Sequence, residues 1–223
     1  MNDPGYTPER RPIRSRELSA SKRAGNWLAV RGVSPNAISV AGMAAGIAAG
    51  AAFAFTGRPG FTRPAFIATA VLMQARLLAN MLDGIVAVAR DVASPLGELH
   101  NEVPDRVSDS AIFIGAGYAV GSAPMLGALT ASVALFIAYV RAEGKVAGAP
   151  QEFCGPMAKP ERMFVVTLCA LYCGLAPLAW QPWVTMGGQR WGLMAASLML
   201  IIVGGLWTSA RRLLRIARAL KSH

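Results

Sequence analysis

Half of the twelve acidic residues of this 223-residue chain fall between positions 83 and 109, in a sequence that is otherwise 54% hydrophobic. Asn80 and Asp83 are three apart and share a face if helical, while Glu98, Asn101, Glu102, Asp105 and Asp109 follow an i, i+3, i+4, i+7, i+11 spacing. Two helices would then present oxygen ligands toward one cavity. Oxygen donors without a thiolate or paired histidines suit Mg2+, Mn2+ or Ca2+ rather than zinc. Gly84 and Gly97 leave backbone room beside those ligands for a bulky phosphate or base. Carboxylates in so apolar a chain are costly unless they face water, a metal ion or a partner charge, which makes this segment the candidate functional site. Arg76, four residues before Asn80 and seven before Asp83, reads as an ion-pair partner of Asp83 or a group lining the cavity.

The elements that must position these residues are membrane helices. Only 15% of the chain is charged, against ~25% in a typical soluble domain. Apolar stretches at about 35–56, 64–89, 97–121, 124–144, 162–180 and 191–211 predict six spans. Each reaches the ~20 residues that a ~30 Å hydrocarbon core demands, the second and third only if the polar ends carrying the acidic segment are helical. The expectation is an all-α integral membrane protein with six transmembrane helices and an N-terminal interfacial amphipathic helix. Residues 12–31 carry Ile13, Leu18, Trp27 and Leu28 among basic residues and would form that helix, behind a disordered basic tail at 1–11. The domain reading is 1–33 for tail and interfacial helix, 34–211 for the six-span domain and 212–223 for a basic cytoplasmic tail. No apolar core with a cleavage site precedes the first span, so no signal peptide is expected.

Eighteen of the twenty-two Lys and Arg residues flank the spans on one side, against Arg58, Arg63 and Arg190 on the other, with Arg76 inside the second span. By the positive-inside rule both termini and the acidic segment face the cytoplasm, which places the protein in the inner (plasma) membrane. The net charge of +10 is then juxtamembrane charge attracted to anionic lipid rather than a nucleic-acid surface. Gly42, Gly46 and Gly50 form a small-residue row suited to close helix packing within the chain, and a homodimer is left open. Cys154, Cys169 and Cys173 lack the spacing of a disulfide framework or a zinc site, and His100 and His223 read as bystanders.

The order Asn80-xx-Asp83-Gly84-xx-Ala87, eight residues after Val88, then Gly97-xxx-Asn101-xxx-Asp105, resembles the signature of the CDP-alcohol phosphotransferases, Asp-xx-Asp-Gly-xx-Ala-Arg, eight residues, Gly-xxx-Asp-xxx-Asp. Every spacing matches, and the likeness extends to the six spans, to Ser34-Pro35-Asn36 and to Arg106 after the last Asp. The resemblance implies a phosphatidyltransferase of phospholipid synthesis, moving a phosphatidyl group from CDP-diacylglycerol to a small alcohol with release of CMP. It implies Mg2+ or Mn2+ held as two ions, with Asp83 as a ligand, Asp105 as ligand or general base, and Gly84, Ala87 and Gly97 beside the substrate. The departures are Asn80, Asn101 and Val88, where the pattern has Asp, Asp and Arg. The two Asn keep a carbonyl oxygen without its charge, and Glu102, Glu98 or Asp109 could restore part of the loss, with Arg90 in place of the missing Arg.

Arg141, Lys145, Lys159 and Arg162 bracket the fourth connection on the cytoplasmic side. They either hold a phosphorylated polyol acceptor, with Arg141, Lys159 and Arg162 as its ligands, or are ordinary topology charges. The alternatives to a transferase are a catalytically impaired member that binds CDP-lipid or nucleotide, and a small cation or proton transporter built on the same carboxylates.

Overall fold

The protein is described by a computed structural model covering residues 19–92 and 95–221. The expected basic tail, the first part of the interfacial helix and His223 lie outside the described residues, as does the side chain of Glu98.

Among the described residues seven α-helices follow in order: α1 (Ser19–Val30), α2 (Pro35–Ala54), α3 (Thr62–Ala89), α4 (Pro95–Gly117), α5 (Pro124–Val146), α6 (Lys159–Leu175) and α7 (Leu193–Lys221). Proline in the first turn starts α2, α5 and α6, where its missing N–H removes no helical bond. Ser34 caps α2, its Oγ accepting from the Ala37 N–H at 3.1 Å. The polar acidic segment is helical, as the length of the second and third apolar stretches requires.

Among the described residues four helices are long and apolar enough to cross a membrane: Pro35–Gly57 with its short 3-10 extension, Thr62–Ala89, Pro124–Val146 and Leu193–Lys221. The third and fifth expected spans do form helices, but α4 carries the acidic cluster and α6 has only 17 residues. Both stop short of the expected ends at 121 and 180. After α4 the chain turns at Gly121 with φ +74°, and after α6 it reaches Pro177 and a 3-10 turn at Leu178–Trp180. The all-α expectation needs one addition. β1 (Val184–Met186) pairs antiparallel with β2 (Gln189–Trp191), Val184 opposite Trp191, across a Gly187-Gly188 turn in which both residues have positive φ. That is the two-residue hairpin turn that only glycine-like backbone supports without strain.

The chain divides into two compact units, one holding residues up to Ile47 together with Leu72–Ser108, the other Ala48–Val71 together with Asp109–His223. In the first, Gly42 sits against Ala79 and Gly46 against Ser108, so these two glycines of the small-residue row pack within the chain. Arg90 donates to the carbonyls of Gly32 and Val33, tying the end of α3 to the α1–α2 link. In the second, α7 packs along α5 and α6, with Gly144 against Ile216 and Gly205 against Val133.

Candidate active site

Within the first unit, α3 and α4 each contribute one carboxylate and one carboxamide, and the four cross-pair. Asn80 on α3 donates through Nδ2 to Asp105 Oδ2 on α4 at 3.1 Å, and Asn101 on α4 donates through Nδ2 to Asp83 Oδ1 on α3 at 3.4 Å. The remaining oxygen of each carboxylate is also held. Ser39 of α2 donates to Asp83 Oδ2 at 2.7 Å, and Arg76 forms an ion pair with Asp105 Oδ1 at 2.7 Å. Arg76 is 1% exposed and also donates through Nε to Ser108 Oγ at 3.0 Å, while the Ser108 hydroxyl donates to the Asp105 carbonyl at 3.1 Å.

Helix periodicity explains the set. Asn101, Asp105 and Ser108 are spaced i, i+4, i+7 on α4, and Arg76, Asn80 and Asp83 are spaced i, i+4, i+7 on α3, so each trio forms one stripe. Pro104 lies inside α4 beside the site and cannot donate the helical bond to the His100 carbonyl, loosening the ladder one residue before Asp105. Asp83 is buried, and the Asp105 side chain keeps 15% of its surface accessible, so the latter is the more accessible of the two carboxylates.

Arg76 was expected to pair with Asp83 or to line the cavity; its ion pair reaches across to Asp105 on α4. The physical reason is length: an arginine extended from α3 spans the interhelical gap to α4, where a carboxylate oxygen and a hydroxyl present two acceptors for its fork. Ser39 and Ser108 were not singled out in the sequence. Ser108 had a signal, its place on the Asn101–Asp105 stripe; Ser39 had none, since a serine within a helix is uninformative until its partner is known. Glu102 pairs with Arg106 one turn on. Gly84 is buried, Ala87 and Gly97 are half-buried, and Val88, where the family pattern has Arg, is 64% exposed. Asp109, further along α4, is buried and belongs to the second unit.

The cationic residues of the fourth connection lie in the second unit. Arg162 is 1% exposed and donates to the Met157 carbonyl at 3.2 Å, Arg141 lies over the Phe153 ring with its guanidinium carbon 5.5 Å from the centroid, and Lys159 is half-buried at the start of α6. Arg212, grouped by sequence with the basic tail, is buried and donates to the carbonyls of Cys154 at 2.9 Å and Ile137 at 3.2 Å.

The arrangement is an all-oxygen donor set, with amide carbonyls beside carboxylates, and that chemistry fits a hard divalent cation. Among the described residues no group of three or more His, Cys, Asp or Glu side chains is placed to hold a metal ion, so the carboxamides are needed to complete any such site.

No protein-family model matches the chain. It is 30% identical over 131 residues to the phosphatidylinositol phosphate synthase of Mycobacteroides abscessus, covering 55% of this chain and 56% of that one. It is 24% identical over 186 residues to inner membrane protein YnbA of Escherichia coli, covering 83% and 85%. The chain thus spans little more than half the length of the first of these relatives and most of the second. Among solved structures, the Mycobacterium tuberculosis phosphatidylinositol phosphate synthase with CDP-DAG bound superposes with a TM-score of 0.69 at 20% identity, over 89% of this chain and 94% of that one. The same synthase in complex with manganese and citrate gives 0.70 at 21%, over 88% of each chain. The chain shares that fold.

Proposed function

We propose that the protein is a membrane-embedded CDP-alcohol phosphotransferase that moves a phosphatidyl group from CDP-diacylglycerol to an alcohol, releasing CMP. The observation that carries this reading is the cross-pairing of Asn80 and Asp83 with Asn101 and Asp105: the residues that match the motif by spacing are the ones that meet between α3 and α4. The relatives and the shared fold support it, since the same solved synthase holds CDP-DAG in one structure and manganese in another. Six spans, both termini in the cytoplasm and an inner-membrane location complete the reading, with α4 and α6 crossing as part of a helical assembly.

Mg2+ or Mn2+ would be held by Asp83 and Asp105 with the carbonyl oxygens of Asn80 and Asn101, and Glu102 beside them. When bound, such an ion supplies neutralisation of charge on the diphosphate oxygens. The chain's own residues do the rest. Asp105 takes the proton of the acceptor hydroxyl as that oxygen attacks the lipid-side phosphorus. The bond from this phosphorus to the bridging oxygen breaks, and CMP leaves with its electron pair. Arg76 and Asn80, one on each oxygen of Asp105, fix the direction in which that carboxylate faces. Asp83, held by Ser39 and Asn101, is a ligand rather than a base. Gly84, Ala87 and Gly97 line the nucleotide side. The acceptor in this reading is a phosphorylated polyol, with Arg141 and Lys159 as the cations that would hold its phosphate.

Purified protein in detergent or vesicles, given CDP-diacylglycerol labelled in the cytidine and Mn2+, should release labelled CMP only when the metal and an alcohol are both present. The closed hydrogen-bond network around both carboxylates favours one other outcome, nucleotide binding without turnover, which would make the chain a CDP-lipid-binding protein. Neither binding nor turnover would sink the proposal.

A further inference from the structure

We infer that Arg76 is a built-in cation of this site, so that the site holds one divalent ion and not two. The inference deepens the proposed transferase reading and rests on it. The observation is a charge inventory. The α3–α4 cluster carries two carboxylates, Asp83 and Asp105, and one guanidinium, Arg76, which is buried and bound to Asp105 Oδ1 at 2.7 Å. The other two members, Asn80 and Asn101, are neutral and already donate to those carboxylates. The cluster is therefore left with one net negative charge before any metal arrives.

A buried site tolerates uncompensated charge poorly, since an unpaired ion removed from water costs several kcal/mol. One divalent ion carries the cluster from one net negative to one net positive, which an anionic diphosphate reverses. A second ion would take it to three positive. Among the described residues no trio of acidic, His or Cys side chains is placed to hold an ion without the carboxamides, and Glu102 pairs with Arg106.

The test counts ions rather than turnover. Purified full-length protein is titrated with Mn2+ alone, and free Mn2+ is measured by its electron paramagnetic resonance signal. The wild type should bind one Mn2+ per chain. Arg76→Gln, which removes the charge and keeps hydrogen-bond donors, should bind Mn2+ about tenfold more tightly or more, in line with the loss of a charge-assisted contact to one of the ligands. Arg76→Lys should stay near the wild type in stoichiometry. Because Arg76→Gln could fold poorly, the Asn80→Asp, Asn101→Asp double variant provides an independent check: with two added carboxylates it should take up a second ion. Two ions in the wild type, or no change in affinity in Arg76→Gln together with one ion in the double variant, would overturn the inference and leave the transferase reading standing. No Mn2+ bound in a wild type that still releases CMP overturns the inference too, whereas neither Mn2+ binding nor CMP release brings down both.

Discussion

Buried arginines occur in both units and are satisfied in different ways. Arg76 in the first unit meets a carboxylate and a hydroxyl from a neighbouring helix, whereas Arg162 and Arg212 in the second donate to backbone carbonyls at Met157, Cys154 and Ile137. A guanidinium on carbonyls fastens a connecting segment, here the chain between α5 and α6, where Thr208 also accepts from the Met157 N–H at 3.1 Å. A guanidinium on a carboxylate sets the charge and orientation of a group able to do chemistry. Burial of a basic residue in an apolar chain therefore does not by itself mark a site; its acceptor does.

The largest effects should come from breaking the carboxylates themselves. Asp83→Asn and Asp105→Asn should each lower CMP release by about 100-fold or more, the scale of a lost base or charge stabiliser. Their stabilities should differ. Asp105→Asn removes the carboxylate that pairs with buried Arg76, which costs about 3–5 kcal/mol, while Asp83→Asn weakens the contacts from the neutral donors Ser39 and Asn101. Thermal unfolding followed by circular dichroism in detergent should rank Asp105→Asn below Asp83→Asn. Equal melting temperatures would mean that Arg76 does not depend on Asp105.

In the second unit the corresponding break is Arg212→Ala. Two charge-assisted donations to carbonyls are lost, each ~1.5–3 kcal/mol, and the segment 147–158 should become open to proteases. Limited proteolysis with mapping of the cut sites checks this, and a cleavage pattern like that of the wild type would show that the segment is held without Arg212. Arg141→Ala should raise the apparent KM for a phosphorylated acceptor about tenfold while leaving that for CDP-diacylglycerol close to wild type. Lys145→Ala, at an exposed position, should change neither. Equal small effects would point to an uncharged acceptor.

The comparison sharpens at the two carboxamides. Asn80→Asp with Asn101→Asp turns each N–H···O pair, at 3.1 and 3.4 Å, into two facing carboxylates, a repulsion that a metal ion would have to relieve. The double variant should melt several degrees below the wild type in EDTA and regain most of the difference in Mn2+, as a ligand that binds only the folded state requires. A variant as stable as the wild type without metal would mean that the amides are not holding the acids apart.

How much of this was legible follows from which signals are periodic. The stripe Asn101–Asp105 and the pair Asn80–Asp83 could be read because helical spacing is visible in one dimension, and the apolar stretches fall on α2 to α7. What required three dimensions was the partner of each polar group: Arg76 reaching α4, Ser39 reaching Asp83, and Arg212 turning inward from a run that reads as topology charge. The hairpin was a missed signal, since Val184-Thr185-Met186 and Gln189-Arg190-Trp191 flank a Gly-Gly pair. Apolarity at the ends of the third and fifth stretches hid the turns at Gly121 and Pro177.

The smallest expected effect concerns Cys154, in the segment that Arg212 fastens. Burial raises its thiol pKa above the ordinary 9.0, and the neighbouring Glu152 raises it further, while Arg215 and Arg212 pull the other way. At any pH below that pKa the raised value means less thiolate, and the thiolate is the reacting species. With Cys169 and Cys173 replaced by Ala, alkylation of Cys154 by iodoacetamide should therefore be slower at pH 8 than that of a free cysteine, and its rate should go on rising past pH 9. Glu152→Gln removes a nearby negative charge and should speed the reaction at pH 8, whereas Arg212→Ala removes an opposing charge yet loosens the segment, so exposure and electrostatics then compete. A rate in Arg212→Ala far above that in Glu152→Gln would identify accessibility, and hence the carbonyl clamp, as what keeps this thiol unreactive.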